Sequence, residues 1–358
     1  MKLRSLDLNR FRCFENLRVS LPGGVVIFHG DNAQGKTSIL EAICVLLRLQ
    51  SPRTSTLAEC ARFEGDSFAV GGQLEGEDSF QLRFQFRESG KRLLIDGETQ
   101  KRIGDYLRHS SLVVWMANDD LTLVRGGGEG RRKYLDFMAC QLFPDYRPAL
   151  KAYEKALRSR NFLLKRDASP KWQQIDAYTK ILAQQGLVIT NRRRELIASL
   201  DPFSSTAQFE ISGRVSEDLQ MRYQCGTGEG LDLEAELLSR RDEEFSRRRT
   251  TAGPHRDDLD LKLNGMSAAK FASEGQQRTV ALALKLAQTR LFITRRGEPP
   301  ILLIDDVFGE LDPARRNYLM ATWPVDSQKI ITTTNLDWLD DKFTDANRLL
   351  VKDGQISI

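Results

Sequence analysis

The sequence predicts an α/β protein that combines a phosphate-binding strand–loop–helix unit, an antiparallel β-subdomain and an inserted α-helical lobe. Four observations predict this class. A short apolar strand runs directly into a glycine-rich loop and a helix within residues 25–49. Strand-like alternation over residues 68–96 then predicts an antiparallel sheet, with Asp96-Gly97 as a hairpin turn. Helical periodicity then dominates residues 130–200. A helix–strand–helix–strand pattern over residues 271–358 completes the first domain.

We therefore expect one domain built from two distant segments. Residues 1–114 hold the N-terminal strands, the phosphate loop and the antiparallel sheet, and residues 250–358 supply the second part. Residues 115–249 form the inserted helical lobe with some strand. Within that insertion, alternation over residues 207–224 predicts a strand, on the pattern of Phe209, Ile211 and Val215.

Composition limits the class of protein without identifying it. The chain has 358 residues, of which 53 are Lys or Arg and 49 are Asp or Glu, and its net charge of +4 is too small to indicate nucleic acid by itself. Its five cysteines lack the paired spacing of a disulfide framework or a zinc site. We expect a cytoplasmic protein, because neither a signal peptide nor an apolar run of membrane-spanning length is evident.

The stretch FHGDNAQGKTSILEAI (residues 28–43) matches the phosphate-loop pattern at every defined position. Gly30 and Gly35 allow the backbone to curl around a β-phosphate, and the following helix N-terminus adds partial positive charge. Lys36 can reach the β- and γ-phosphates, and the Thr37 hydroxyl can coordinate Mg²⁺. The candidate nucleotide-binding residues here are Gly30, Asp31, Asn32, Ala33, Gln34, Gly35, Lys36, Thr37 and Ser38.

The stretch PPILLIDDVFGELD (residues 299–312) supplies two carboxylates after a buried strand. Asp305 is the candidate magnesium ligand, and Asp306 is the candidate group that orients or deprotonates the attacking water.

A third stretch, FASEGQQRTVALALKLAQTRL (residues 271–291), permits two interpretations. Ser273 and Gln276 fit a capping box, so the segment can be an ordinary capped core helix. Alternatively, Ser273, Gly275 and Gln276 present the N–H groups of a helix N-terminus to an anion.

These motifs carry a family resemblance. The order Ser273-Glu-Gly-Gln-Gln-Arg278, just upstream of an apolar strand ending in two aspartates, resembles the signature motif of ABC-type ATPases. Glu310-Leu311-Asp312 is similar to their D-loop. With residues 8–43 and TAGPHRDDL (residues 251–259), the chain resembles the RecF family of bacterial recombination mediators, in the branch that includes structural-maintenance-of-chromosomes heads. The resemblance implies an ABC-type ATPase head.

The resemblance also implies a mechanism and partners. ATP and Mg²⁺ would lie between two copies of the chain, so that the phosphate loop of one faces the Ser273 helix of the other. ATP would join this homodimer, and weak, DNA-stimulated hydrolysis would release it. The implied catalytic residues are Lys36, Asp306 and Ser273. The implied DNA targets are duplexes, single strands and gap junctions, where the protein acts with RecR and RecO to load RecA in DNA replication, repair and the SOS response.

Two departures from the ABC pattern predict slow turnover. Asp306 replaces the usual Glu, and Thr333 or Thr334 occupies the place of the switch histidine. Asn118 or Asp119 is a candidate γ-phosphate sensor, although an ordinary loop and helix cap explains them equally well.

Basic residues favour DNA as a partner through their number in and beside the insertion. They are the runs 131–133, 192–194 and 247–249 and the scattered Lys151, Lys155, Arg158, Arg160, Lys165 and Arg166. Arg12 and Arg53 are expected to be solvated surface residues, with contact to the nucleotide base or to DNA as the alternative. His255 is expected to be structural or a turn element.

Three other classes remain as alternatives. A transporter ATPase subunit is disfavoured by the long insertion and its arginines. A chromosome-structuring head is disfavoured because only 235 residues separate Thr37 from Ser273. A phosphotransferase is disfavoured by the signature helix.

Overall fold

A computed structural model of the chain describes residues 1–166, 169–213, 217–339, 343 and 345–357. It divides into two compact units, of which the first comprises Met1–Asp120 with Gln288–Ile358 and the second Leu121–Ala287. These divisions fall later than the expected ones at 114/115 and 249/250. Residues 250–287 group with the insertion because the strand Asp258–Leu263 pairs along its whole length with Leu219–Gln224.

The regular elements follow one another in chain order. The first segment forms β1 (Lys2–Leu3), β2 (Ser5–Phe11), β3 (Phe14–Ser20), β4 (Val25–His29), α1 (Lys36–Arg48), β5 (Ser67–Glu75), β6 (Ser79–Arg87), β7 (Gly90–Ile95), β8 (Glu98–Gln100), α2 (Ile103–Arg108) and β9 (Val113–Ala117). The second unit forms α3 (Leu121–Arg125), α4 (Gly128–Leu142), α5 (Tyr146–Arg166), α6 (Trp172–Ser212), β10 (Leu219–Gln224), α7 (Leu233–Ser239), α8 (Arg241–Arg247), β11 (Asp258–Leu263), β12 (Met266–Ser267) and α9 (Ala268–Phe271). The chain continues with α10 (Glu274–Arg296), β13 (Ile301–Asp305), α11 (Pro313–Thr322), β14 (Lys329–Thr333), β15 (Asn347–Lys352) and β16 (Gln355–Ser357).

A mostly parallel sheet lies at the centre of the first unit. Its described strands run in the order β16-β15-β4-β14-β13-β9, and all neighbours are parallel except the C-terminal pair β15–β16. The phosphate loop leaves the carboxyl end of β4, and the two aspartates leave the carboxyl end of β13, two strands away. Parallel strands therefore bring both motifs to the same edge of the sheet.

The antiparallel sheet of the first unit has the order β3-β2-β5-β6-β7-β8, with β1 also paired to β5. The predicted hairpin turn between β7 and β8 is confirmed, since Asp96 (φ 49°) and Gly97 (φ 84°) both occupy the left-handed region. Helix α1 contacts strands of both sheets, and Ile39, Ile43 and Leu46 on it are fully buried. This burial holds the helix that follows the phosphate loop.

The second unit is mainly helical, with the small sheet β10-β11-β12. The predicted strand over 207–224 is confirmed only as β10, because α6 continues to Ser212. The helical phase persists through the buried Leu200, Ser204, Ala207 and Ile211, and Gly213 at φ 64° ends the helix. Phe209 and Ile211 are thus helical, whereas Val215 lies outside the described residues. No helix in the described part of the chain is long and apolar enough to span a membrane.

Candidate functional site

At two positions of the phosphate loop, the backbone adopts a conformation that suits only glycine. Gly30 (φ 143°) and Gly35 (φ 101°) lie in the left-handed half of backbone space. A Cβ on Gly30 would collide with the carbonyl oxygen of Val351. A Cβ on Gly35 would lie 2.7 Å from both the Sγ of Cys13 and the Cζ of Phe14. Neighbouring elements on both sides thus determine the course of the loop.

Helix α1 begins at Lys36, and its N-terminus is able to bind an anion. No side chain among the described residues caps its N-terminus, and its first turn carries no acidic residue. Backbone N–H groups at such a terminus favour a phosphate. The Lys36 ammonium donates to the carbonyl oxygens of Gly30 and Asp31, at 2.6 Å each, so it lies over the same loop. Burial lowers the pKa of Lys36, while the nearby carboxylates of Asp306 and Asp305 act in the opposite direction.

Thr37 and Asp305 meet at the sheet edge. The Thr37 hydroxyl lies 2.8 and 2.9 Å from the two carboxylate oxygens of Asp305. Thr332, buried and directly opposite Asp305 on β14, donates a further hydrogen bond of 2.7 Å to Asp305 Oδ1. A hydroxyl and a carboxylate are hard oxygen donors of the kind that Mg²⁺ takes together with phosphate oxygens and water. The residues present therefore fit a magnesium–nucleotide complex.

Asp306 occupies a strained backbone position beside this pair. Its φ of 54° is unusual for a residue with a side chain. Its N–H is held by the carbonyl and the hydroxyl of Thr332, both at 3.1 Å. Burial raises the pKa of the Asp306 carboxyl, and the Lys36 charge opposes part of that rise. A partly desolvated carboxylate near a phosphate site is suited to accept a proton from water.

The candidate γ-phosphate sensors Asn118 and Asp119 are both exposed. The Asn118 amide donates to the backbone carbonyl of Asp306 at 2.9 Å and to Glu310 Oε1 at 3.0 Å, so it contacts the segment after β13.

The two threonines proposed for the switch position differ in their exposure. Thr333 is buried: its hydroxyl donates to the Asn335 carbonyl at 2.8 Å and accepts from the Trp338 indole at 2.9 Å. Thr334 is exposed, and its backbone forms a hydrogen bond with Asp306. Geometry thus favours Thr334 over Thr333 as the residue that can face a nucleotide.

The remaining loop residues are mostly exposed. Asp31, Asn32 and Ala33 face solvent, whereas Ser38 is buried at the start of α1. Gln34 is tied down, because its side-chain oxygen accepts a hydrogen bond of 2.6 Å from the Asp353 backbone N–H in the turn between β15 and β16. Sequence patterns did not indicate either this contact or the one made by Thr332, since both depend on the pairing of distant strands.

The signature segment lies in the second unit and forms the predicted capping box. The Ser273 N–H donates to the Gln276 side chain at 2.9 Å, and the Gln276 N–H donates to the Ser273 hydroxyl at 3.3 Å. The Gln276 amide also donates to Glu217 at 3.1 Å, and the Gly275 carbonyl accepts from the Thr279 hydroxyl. Ser273 remains exposed, and its hydroxyl acts only as an acceptor in the box. Capping and anion binding are therefore compatible.

Arg12 and Arg53 are not merely solvated surface residues. Both reach the buried carboxylate of Glu41 on α1, Arg12 at 2.6 and 2.8 Å and Arg53 at 3.2 Å. Burial raises the pKa of Glu41, but hydrogen bonds from Arg12 and Ser51 outweigh it and the net shift is downward. The expected surface role is thus corrected for Arg12, which is held against α1 by a buried charge.

Two arginines of the basic runs pair with carboxylates of their own unit. Arg131 forms a bidentate pair with Asp258 at 2.7 and 2.9 Å. Arg193, 2% exposed, donates to Asp136 at 2.7 Å and to Asp257 at 2.8 Å. The DNA interpretation does not agree with the burial of Arg193, and Arg131, although 12% exposed, is held by Asp258.

Arg160 and His255 also have internal partners. Arg160, 1% exposed, pairs with the buried Glu244 at 2.6 Å. His255 contacts the Tyr153 hydroxyl at 2.7 Å, and burial lowers its pKa to about 4. The expected structural role of His255 agrees with this neutral, buried ring.

Comparison with known proteins gives consistent results. Residues 5–210 match the family described as "AAA domain". The chain is 37% identical to the "DNA replication and repair protein RecF" of Synechococcus sp. (strain JA-2-3B'a(2-13)), over 99% of this chain and 97% of the relative. A solved structure of the recombination mediator protein RecF with ATP, in the RecFOR pathway, superposes with a TM-score of 0.86 at 29% identity, covering 99% of this chain and 96% of that one. A SmcHead structure shares the fold, with a TM-score of 0.53 at 15% identity over 100% of this chain and 97% of that one.

Proposed function

Because the chain belongs to the RecF family of DNA replication and repair proteins, we propose that it is an ATP-dependent DNA-binding protein of recombinational repair. It dimerises on ATP, binds duplex DNA and single-strand junctions at gaps, and acts with RecR and RecO to promote RecA loading in the cytoplasm. The relative with ATP, named a recombination mediator of the RecFOR pathway, supports this assignment.

The observation that carries the nucleotide assignment is the meeting of Thr37 and Asp305 beside an uncapped helix N-terminus. Lys36 and the N–H groups of the loop would bind the β- and γ-phosphates, and Thr37 and Asp305 would hold Mg²⁺. When bound, Mg²⁺ neutralises charge on the phosphates. Thr332 keeps the Asp305 carboxylate oriented toward Thr37.

Hydrolysis is assigned to Asp306. Its carboxylate takes a proton from the attacking water, and its raised pKa makes it a better base than an ordinary aspartate. Asp306 is one methylene shorter than glutamate, so it reaches the water less well and turnover is slow. The exposed Thr334, whose backbone bonds to Asp306, stands in the place of the switch histidine. Threonine has no imidazole and therefore cannot donate a proton as a histidine can.

Dimerisation is assigned to the exposed N-terminus of α10 at Ser273, which we call the Ser273 tip. Its capping box leaves the serine proton available to a phosphate oxygen of a nucleotide held by a second copy. Each nucleotide then joins two subunits, and its hydrolysis removes the phosphate that joins them. ATP binding therefore supplies the energy for the dimer, as expected of a switch.

Gel filtration with light scattering tests this function. We expect the unaltered protein to shift from monomer to dimer with Mg²⁺-ATP, and Lys36→Ala to stay monomeric. Binding to labelled duplex and gapped DNA, measured at two salt concentrations, should weaken as salt rises. A protein that stays monomeric with ATP and binds no DNA would contradict the proposal.

A further inference from the structure

The exposed face of α5 carries a row of cations that the nucleotide site does not use. Its members are Lys151, Lys155, Arg158, Phe162 and Lys165, which we call the α5 stripe. They recur every three or four residues, so they share one side of the helix. The opposite side is buried, at Tyr153, Ala156, Arg160 and Leu164. The stripe is therefore a continuous exposed surface.

These cations differ in their availability from Arg131 and Arg193 of the basic runs, which are held by carboxylates. None of Lys151, Lys155 and Lys165 forms an ion pair with a residue that the structure describes. Arg158 interacts electrostatically with Glu154, which lies at the edge of the stripe. Solvent-exposed helix faces usually mix charges of both signs, whereas this face carries four cations against the one carboxylate of Glu154. Such a face is complementary to a polyanion.

Phe162 gives the stripe a second chemical character. It lies between Arg158 and Lys165, its side chain is 59% exposed, and the Arg166 guanidinium lies 5.5 Å from the ring centroid. An aromatic ring among cations is the arrangement by which proteins stack unpaired bases while neutralising the phosphates beside them. The ring and the cations therefore favour a strand with accessible bases over a closed duplex.

We propose that the α5 stripe binds single-stranded DNA, with its four cations on the phosphates and Phe162 stacked on a base. From Lys151 to Lys165 the helix rises about 21 Å, which matches roughly six nucleotides of a strand at ~3.4 Å each. The proposal rests on the DNA binding assigned above and adds the surface that performs it. The stripe uses the strand backbone and one stacked ring, so it requires no particular base sequence.

The test compares two double variants that lose the same charge. Lys151→Gln/Lys155→Gln removes two stripe cations, and Lys101→Gln/Arg102→Gln removes two exposed cations from the first unit. In fluorescence anisotropy, the stripe variant should bind labelled oligothymidine with about tenfold lower affinity than the control variant. Its slope of log affinity against log salt concentration should be smaller in magnitude by about 1.4. Thermal melting checks that both variants fold.

A third variant tests the stacking. Phe162→Ala should weaken binding of oligothymidine about fivefold and of a blunt duplex of equal length by less than twofold, since stacking on an unpaired base contributes ~1–3 kcal/mol. Equal affinities of the stripe variant, the control and the unaltered protein for oligothymidine would overturn the inference. Failure of the unaltered protein to bind any DNA would instead overturn the proposed function.

Discussion

The candidate nucleotide site and the inserted lobe both contain charged residues prominent in the sequence, yet these residues have different partners in the two regions. At the nucleotide site, Lys36, Asp305 and Asp306 gather at one edge of a parallel sheet, where a ligand can reach them. In the lobe, Arg131 and Arg193 pair with carboxylates of the same unit. The phosphate-loop spacing specifies a local backbone, whereas successive residues on a helix point about 100° apart. A run of like charges therefore does not indicate which members face solvent.

The largest expected effect concerns the nucleotide site. Asp306→Asn should lower ATP hydrolysis by between about 10² and 10⁴-fold while ATP binding and ATP-driven dimers persist, because the amide cannot accept the water's proton. Phosphate release and light scattering measure the two properties on one sample.

The pH profile sharpens that prediction. Burial raises the pKa of Asp306. As the pH is lowered, hydrolysis by the unaltered protein should therefore begin to decline at a higher pH than it would with an aspartate of ordinary pKa. Undiminished turnover in Asp306→Asn would remove Asp306 from the role of base.

A second prediction addresses the lobe. Arg193→Met should lower the free energy of unfolding by about 3 kcal/mol, because the buried Asp257 and the mostly buried Asp136 lose their shared cation. The matched change Arg192→Met removes a half-exposed arginine from the same run and should cost less than about 1 kcal/mol. Urea unfolding distinguishes the two. Equal costs would mean that burial does not separate the members of the run.

The smallest expected effect concerns a residue that the motifs did not indicate. Thr332→Val removes the hydroxyl that orients Asp305 and should raise the Mg²⁺ concentration needed for half-maximal hydrolysis about tenfold, with Thr332→Ser restoring it. Restoration by serine, which has the hydroxyl but not the methyl group, would show that the effect comes from orienting the Asp305 carboxylate and not from packing. A magnesium requirement unchanged by Thr332→Val would show that Asp305 needs no such support.

Much of the first unit could be predicted from sequence because its signals are local. The strand–loop–helix around Gly30 to Thr37 and the hairpin turn at Asp96-Gly97 follow from residue types at defined spacing. The meeting of Thr37 with Asp305 follows from parallel strands ending at one edge. The roles of these residues in ATP binding and hydrolysis stay predictions.

Other features could not be predicted, because they depend on the pairing of distant segments. The hydrogen bond from Thr332 requires the register of β13 against β14, and that from Asp353 to Gln34 requires the C-terminal hairpin beside the loop. The continuation of α6 past Phe209 is decided by burial of its apolar and small residues, which local alternation did not reveal. The partners of Arg193 come likewise from segments far apart in the chain.

One measurement tests the central claim most directly: sedimentation velocity of Ser273→Arg with and without Mg²⁺-ATP. If the Ser273 tip of one copy closes over the nucleotide of another, the bulky cation should keep the protein monomeric although each copy still binds ATP. Dimers as abundant as those of the unaltered protein would contradict the shared nucleotide site.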